Sequence, residues 1–297
     1  MIELGNSKKI CLKYRKMNKV IFDIDNIRME ISFKSFEELR LILSFYHKNN
    51  ICKINIPCKN NLKKDFLLNS IKIAREEFPN IDLIPHFSIL HEFKRNRKNT
   101  LDSFIYFLNT VKDLGCNQVL LVSGSQKRST LNSVSALSFL KDNTLLSNNH
   151  FSIGVAFNPY LPSFLFKQEI AKLEKKLESG IVYSIWFQFG TDCMVLEKRI
   201  EILKKLISSN ERINSKQSKI KLFGSILIPS KQFLARFKYR PWKGVYCSQY
   251  FLESVDSASN FINKLLRTYK KYDISPIIET DVSTKEKLNL LKIILQV

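Results

Sequence analysis

The feature that most constrains the fold is a strand–helix–strand unit over residues 151–189, because similar units recur along the chain. Residues 151–156 form an apolar run short enough for a strand buried on both faces. Residues 181–189 form a second apolar, β-branched and aromatic run, and Gly180 before it can end a helix in the left-handed conformation. Between the two runs, apolar residues at helical spacing form one stripe: Phe166, Ile170, Leu173 and Leu177.

The rest of the chain alternates in the same way, with nearly every predicted strand followed by a helix. Strands are predicted at 28–32, 51–57, 81–88, 117–124, 151–156, 181–189, 219–228 and 275–280. Strands that are apolar on both faces are typical of a parallel sheet covered by helices. The count of eight strands and the length of 297 residues predict an α/β fold, a single (β/α)8 TIM barrel over residues 28–297. A basic extension is predicted over residues 1–27.

Short motifs predict where several helices begin and end. Ser35 with Glu38, and Ser283 with Glu286, have the spacing of capping boxes at helix N-termini. Gly115 follows a predicted helix at 101–114 and can end it. Further helices are predicted at 65–78, 131–140, 193–209, 230–237 and 258–269.

The formal net charge of +21 suggests a nucleic acid or an anionic membrane as partner. However, the lysines are spread over almost every helix and loop, and only residues 94–98 form a dense cluster. The chain contains no zinc finger, RNP-type motif or basic–aromatic repeat. A composition rich in Asn, Ile, Phe and Lys therefore explains the charge better, and we do not predict a nucleic acid partner.

The six cysteines form no CxxC pair and no zinc pattern with a histidine, which favours reduced thiols in an intracellular protein and predicts no metal site. No apolar run is long enough to span a bilayer, and no signal-peptide core follows the N-terminus. The basic residues 1–20 are either an organelle-targeting segment or a disordered start. We therefore expect a cytoplasmic or mitochondrial protein.

In a barrel of this type the active site lies at the carboxyl ends of the strands. The polar residues predicted there are Glu30, His86, Ser88, Ser123, Ser125, Asn158, Gln188 and Glu279. No glycine-rich loop follows the first strand, which argues against a dinucleotide-binding Rossmann fold.

Several of these strand ends carry longer motifs. Residues 151–159 have the sequence FSIGVAFNP, 84–88 have IPHFS, and Met29-Glu30-Ile31 lies on the first strand. These segments resemble FSIGVAGYP, PHLT and the first-strand Phe-Glu of the methylenetetrahydrofolate reductase family, whose members are flavin-dependent (β/α)8 barrels. The family's LALRGD, LKxKxxAG and TQxFFD motifs resemble residues 119–125, 173–180 and 187–192. The resemblance spans most of residues 28–229 in the right order and is weaker over 230–297.

The resemblance implies an enzyme of one-carbon metabolism and methionine biosynthesis that uses FAD. NADH or NADPH would reduce the FAD, which would pass hydride to a methylene group on a folate substrate. Glu30 would be the general acid, and Gln188 would hydrogen-bond the pterin or the nicotinamide amide. The FAD contacts that the resemblance implies are His86, Gly124, Ser125, Ala156, Asn158, Glu169 and Lys176.

The chain departs from the family at several of these positions, so two classes of function stay open. Ser123 and Ser125 replace the family's arginine and aspartate, and Pro57 replaces a threonine that contacts FAD. Tyr160 and Pro162 replace the acid and histidine of a loop. One hypothesis is a flavin-dependent reductase. The other is a barrel without catalysis that serves as a subunit or scaffold in a larger assembly. The sequence also leaves a homo-oligomer open.

Structural roles compete with the functional ones at individual residues. Glu30 is also compatible with a plain polar position on an exposed strand, and His86 with a structural histidine. Glu169 is compatible with an acid favoured near a helix N-terminus. Lys176, taken alone, is typical of a solvated helix face. Gln188 favours function more clearly, because an amide within an apolar strand requires a hydrogen-bond partner.

Overall fold

The protein folds as a closed barrel of eight parallel strands, in which each strand pairs with the next and β8 pairs with β1. The computed structural model describes residues 22–58, 64–92, 97–123, 131–141, 151–213 and 219–295. The strands are β1 (Arg28–Glu30), β2 (Lys53–Ile56), β3 (Asp82–Ser88), β4 (Gln118–Val122), β5 (Ser152–Phe157), β6 (Val182–Phe187), β7 (Lys221–Ile226) and β8 (Ile274–Ile278). The predicted (β/α)8 barrel is therefore confirmed.

Helices surround the barrel and alternate with its strands. They are α1 (Phe36–Lys48), α2 (Lys64–Glu77), α3 (Ile89–Glu92), α4 (Arg97–Asp113), α5 (Ser133–Lys141), α6 (Ser163–Leu177), α7 (Cys193–Ile213), α8 (Lys231–Tyr239), α9 (Gln249–Glu253), α10 (Val255–Lys271) and α11 (Lys285–Ile294). The short helices α3 and α9 were not predicted. Among the described residues, no helix is both long enough and apolar enough to cross a bilayer.

Most of the predicted helix ends are confirmed. The Ser35 side chain accepts a hydrogen bond from the Glu38 amide at 3.2 Å, and Gly115 and Gly180 have φ values of +80° and +73°. The prediction for α11 was wrong by one residue, because the N-cap is Thr284, whose hydroxyl accepts from the Lys287 amide at 3.3 Å. The predicted cap, Ser283, instead donates its own amide to Asp281 Oδ1 at 3.0 Å.

The apolar residues form two separate cores. The larger lies between the strands and the surrounding helices. The smaller lies in the barrel lumen and consists of Ile84, Leu120, Trp186, Phe223 and Ile277. Trp186 and Phe223 stack there with ring centroids 4.0 Å apart and planes 12° from parallel. Gly154 leaves room for this stack, since a Cβ at that position would lie 2.5 Å from Trp186 Nε1.

Some of the sequence predictions cannot be compared with the structure. The predicted FAD contacts Gly124 and Ser125 lie outside the described residues. So do residues 1–21 of the predicted basic extension and residues 94–96 of the basic cluster.

Candidate functional site

Three of the predicted site residues, Glu30, His86 and Gln188, lie towards the end of the barrel where the strands finish, which we call the C-terminal mouth. Glu30 is the last residue of β1, His86 lies in the second half of β3, and Gln188 directly follows β6. Because all eight strands are parallel, these positions share one end of the barrel. Glu30 and Gln188 thus lie at the same mouth, as expected, while their chemical roles stay predictions.

Strand alternation places Glu30 on the lumen side of β1. Side chains alternate along a strand, so Glu30 points to the same side as Arg28, whose guanidinium lies inside the barrel. The register pairs Met29 with Ile278, so that Glu30 and Glu279 follow on adjacent strands. Two acidic residues therefore occupy neighbouring positions at the C-terminal mouth.

His86 is held by a hydrogen-bond chain that crosses the lumen, which we call the lumen network. Asn55 Nδ2 lies 2.8 Å from His86 Nε2, and Arg28 Nη1 lies 3.3 Å from Asn55 Oδ1. Arginine can only donate, so Oδ1 is the acceptor and Nδ2 donates to the ring. His86 Nε2 is therefore an acceptor in this arrangement, and the ring proton of the neutral form is on Nδ1. Asp82 completes the lumen network through an ion pair with Arg28.

Only His86 of this network was predicted from the sequence as a site residue, whereas Arg28, Asn55 and Asp82 were not. Arg28 and Asn55 are buried polar residues within otherwise apolar strands, and that contrast was the available signal. Burial lowers the pKa of Arg28, and the attraction of Asp82 only partly opposes this effect. The charge is retained inside the barrel because the guanidinium also donates to the carbonyl oxygens of Ile54 at 3.1 Å and Asp82 at 3.0 Å.

Four of the predicted FAD contacts form hydrogen bonds with other parts of the protein. The Asn158 amide donates to Glu169 Oε1 at 3.2 Å, and its side chain donates to the Gly244 carbonyl at 2.7 Å. Lys176 Nζ donates to the Ala156 carbonyl at 3.0 Å. Lys176 is 6 % exposed and burial lowers its pKa, so the interpretation as a solvated helix face is wrong.

Ser123 also has a structural partner at this mouth. It occupies the position at which the resembling family has an arginine. Its hydroxyl donates to Ser133 Oγ at 2.9 Å and accepts from the Ser133 amide at 2.9 Å. Ser123 therefore ties the end of β4 to the start of α5.

Three polar side chains at the C-terminal mouth are available to a ligand. The Gln188 amide group forms no hydrogen bond with the described residues, although its backbone N–H donates to Phe157. The hydroxyls of Ser88 and Ser225 are buried and have no hydrogen-bond partner among the described residues. Ser225 was missed by the sequence analysis, and its signal was a serine within the apolar run of β7. Two buried hydroxyls without hydrogen-bond partners and a side-chain amide without one, all at the same mouth, are typical of a site that completes its hydrogen bonds with a ligand.

Comparisons with known proteins give likenesses at the level of the fold. No family model matches the chain, and no curated protein matches it. An uncharacterized protein from Clostridium thermocellum that binds two copies of 5-methyl-5,6,7,8-tetrahydrofolic acid is 12 % identical, with a TM-score of 0.59 over 91 % of this chain and 93 % of its own. A 2,3-dimethylmalate lyase is 8 % identical, with a TM-score of 0.51 over 88 % of this chain and 75 % of its own.

A third solved structure has a fold similar to that of this chain. It is a putative deoxyribose-phosphate aldolase from Toxoplasma gondii ME49, 10 % identical, with a TM-score of 0.50 over 90 % of this chain and 92 % of its own. The three proteins differ in what they bind or catalyse, as is usual for this architecture. Taken together, the likenesses support the (β/α)8 barrel as the fold of this chain.

Proposed function

We propose that the C-terminal mouth binds a reduced folate and that the protein reduces the one-carbon unit of this folate with FAD and NADH or NADPH. The observation that carries the proposal is the convergence of Glu30 and Gln188 on one mouth. The resemblance of residues 151–159 to the methylenetetrahydrofolate reductase motif supports it. A barrel of similar fold that binds a methylated tetrahydrofolate gives further support.

The proposed reaction assigns a separate task to each of these residues. Glu30 donates the proton that opens the methylene bridge of the folate, since a carboxyl group at this position can reach a ligand in the lumen. The Gln188 side chain offers an NH2 donor group and a carbonyl acceptor, a pattern that matches the edge of a pterin ring. The hydroxyls of Ser88 and Ser225 supply additional partners within the mouth.

The residues fit a folate better than they fit FAD. FAD, when bound, would supply hydride transfer between the nicotinamide and the folate. The resemblance assigns His86 and the backbone at Ala156 to the flavin, but His86 is hydrogen-bonded to Asn55 and the Ala156 carbonyl accepts from Lys176. Asn158 and Ser123 also form hydrogen bonds within the protein. We therefore expect FAD to bind more weakly than is normal for the family.

A second candidate function follows from the side chains that already form hydrogen bonds within the protein. If Lys176 and Asn158 keep their internal hydrogen bonds, the barrel binds a folate without FAD and does no redox chemistry. Titration of the purified protein with FAD separates the two candidates. Saturable binding favours the reductase. The absence of binding at tens of times the protein concentration, with folate binding retained, favours the barrel without catalysis.

The test of the mechanism measures the two half-reactions separately by stopped-flow spectroscopy. In Glu30→Gln the reduction of FAD by the nicotinamide should survive, while hydride transfer to the folate should fall by about a hundred- to ten-thousand-fold. Gln188→Ala should weaken folate binding by about one hydrogen bond, or roughly tenfold. Glu201→Gln, on the exposed face of α7, is the matched control and should behave as wild type. Equal folate reduction by wild type and Glu30→Gln would remove Glu30 from the mechanism.

A further inference from the structure

A cavity lies at the opposite end of the barrel, where the strands begin, which we call the N-terminal mouth. Its volume is about 820 Å³, a size within the range of small-molecule sites. The first residues of several strands line it, among them Arg28 of β1, Lys53 of β2, Asp82 of β3 and Lys221 of β7. This mouth is separated from Glu30 by the apolar residues of the lumen.

The described lining of this cavity carries an excess of positive charge. It contains five cationic side chains and two carboxylates, which leaves a net charge of +3. Both carboxylates are already paired, Asp82 with Arg28 and Asp273 with Lys219 at 3.1 Å. The excess charge is therefore located on three lysines: Lys53, Lys204 and Lys221.

None of these three lysines has a carboxylate partner within the part of the chain that the structure describes. Lys53 Nζ donates only to the neutral Asn26 Oδ1, at 3.2 Å. Lys204 Nζ lies 4.9 Å from the centre of the Tyr272 ring. Ammonium groups that converge on a concave surface without counter-charges concentrate a positive potential there, and such a potential attracts anions.

The aromatic side chains of the cavity already have partners. Phe223 stacks on Trp186 and has the Arg28 guanidinium 5.9 Å from its centroid. Tyr272 has the Nζ atoms of Lys204 and Lys271 each 4.9 Å from its ring. Most of the other lining residues carry amides and hydroxyls, including Gln118 and Ser152. The cavity therefore suits a compact ligand rich in oxygen acceptors better than a planar ring.

We infer that the N-terminal mouth binds a small polyanion that carries phosphate groups, held by Lys53, Lys204 and Lys221. Phosphate oxygens accept the charge-assisted hydrogen bonds that lysine ammonium groups donate. Arg28 stays with Asp82 and closes the inner end of the cavity. This site is independent of the folate and FAD proposed at the other mouth.

The test titrates the full chain with sodium pyrophosphate in an isothermal calorimeter at 50 mM salt. We expect one saturable site that weakens as the salt concentration rises, because salt screens partly exposed charges. Lys53→Gln, Lys204→Gln and Lys221→Gln should each weaken binding by about fivefold. The matched control is Lys231→Gln, an exposed lysine at the start of α8, whose affinity for pyrophosphate should equal that of wild type.

A second measurement locates the ligand. The chain has two tryptophans, so Trp242→Phe leaves Trp186, which stacks on the cavity residue Phe223, as the sole tryptophan. Its fluorescence should change with pyrophosphate along the calorimetric curve. The absence of saturable pyrophosphate binding would overturn the inference. Two further outcomes would also overturn it. One is an equal loss of pyrophosphate affinity in Lys231→Gln and in the three cavity variants. The other is binding of a single-stranded RNA that pyrophosphate does not displace.

Discussion

Arg28 combines two properties that rarely occur together, a permanent charge and almost complete burial. It is 4 % exposed, and desolvation lowers its pKa. Its guanidinium donates to three acceptors on β2 and β3, the buried Ile54 carbonyl and Asn55 side chain and the partly buried Asp82 carbonyl. Through Asn55 the same guanidinium determines which nitrogen of His86 is an acceptor. A single residue at the start of β1 thus orders polar groups along the lumen.

Replacement of Arg28 should destabilise the protein, because these buried acceptors lose a charged donor. We expect Arg28→Met to lower the free energy of unfolding by about 2–3 kcal/mol in urea titrations. Arg40→Met is the matched control, since Arg40 forms an exposed ion pair with Glu77 at 2.8 Å. Exposed pairs contribute little, so this variant should unfold close to wild type. Equal stabilities of the two variants would contradict the role given to Arg28.

The start of α11 shows how a helix boundary depends on the chain just before it. Ser283 and Thr284 are both suitable N-cap residues, and the spacing to Glu286 favoured Ser283. In the structure, Asp281 Oδ1 accepts the Ser283 amide, and Thr284 takes the extended conformation of a cap with φ −123° and ψ 155°. The turn closed by Asp281 therefore moves the first helical residue to Lys285.

This boundary can be tested by a pair of neighbouring substitutions. Thr284→Ala should lower the free energy of unfolding by about 1 kcal/mol, because the Lys287 amide loses its capping acceptor. Ser283→Ala should have almost no effect, since the contact of Ser283 uses its backbone. Urea unfolding monitored by circular dichroism measures both. A larger loss of unfolding free energy in Ser283→Ala than in Thr284→Ala would show that Ser283 is the N-cap.

At the scale of the whole molecule, the five described cysteines are free thiols distributed over the barrel. Burial raises the pKa of Cys116 to about 12, of Cys193 to about 11 and of Cys247 to about 12. Cys193 is the first residue of α7, a position that commonly lowers a thiol pKa, but desolvation outweighs that effect here. These thiols therefore remain protonated at neutral pH.

The rates at which these thiols are alkylated in the native protein should be low, because the thiols are protonated. At pH 8 Cys193 should react with iodoacetamide about a hundredfold more slowly than a free thiol of ordinary pKa, and Cys116 and Cys247 about a thousandfold more slowly, because only the thiolate reacts. Their rates should rise about a hundredfold between pH 8 and pH 10, against about fourfold for the free thiol. Peptide mass spectrometry after timed quenching gives each rate. Equal rates in native and urea-unfolded protein would contradict this prediction.

Most of the architecture followed from local patterns. Each apolar run became a strand within about three residues of its predicted limits, since burial on both faces leaves a continuous apolar signal. The helices α3 and α9 were missed because segments of four and five residues are too short to show a helical period. The shared location of Glu30 and Gln188 was predictable too, because parallel strands end on the same side.

The contacts within the mouths were not predictable in this way. The sequence alone determined the order of strands and helices, and through it which residues reach the C-terminal mouth. Only the tertiary structure decided that Arg28 meets Asn55 and Asp82, which lie 27 and 54 residues away along the chain. It also decided that Lys176 turns inward and that three lysines surround the N-terminal cavity. The physical reason is that local periodicity records how buried a residue is, whereas its partner depends on strand register and on closure of the barrel.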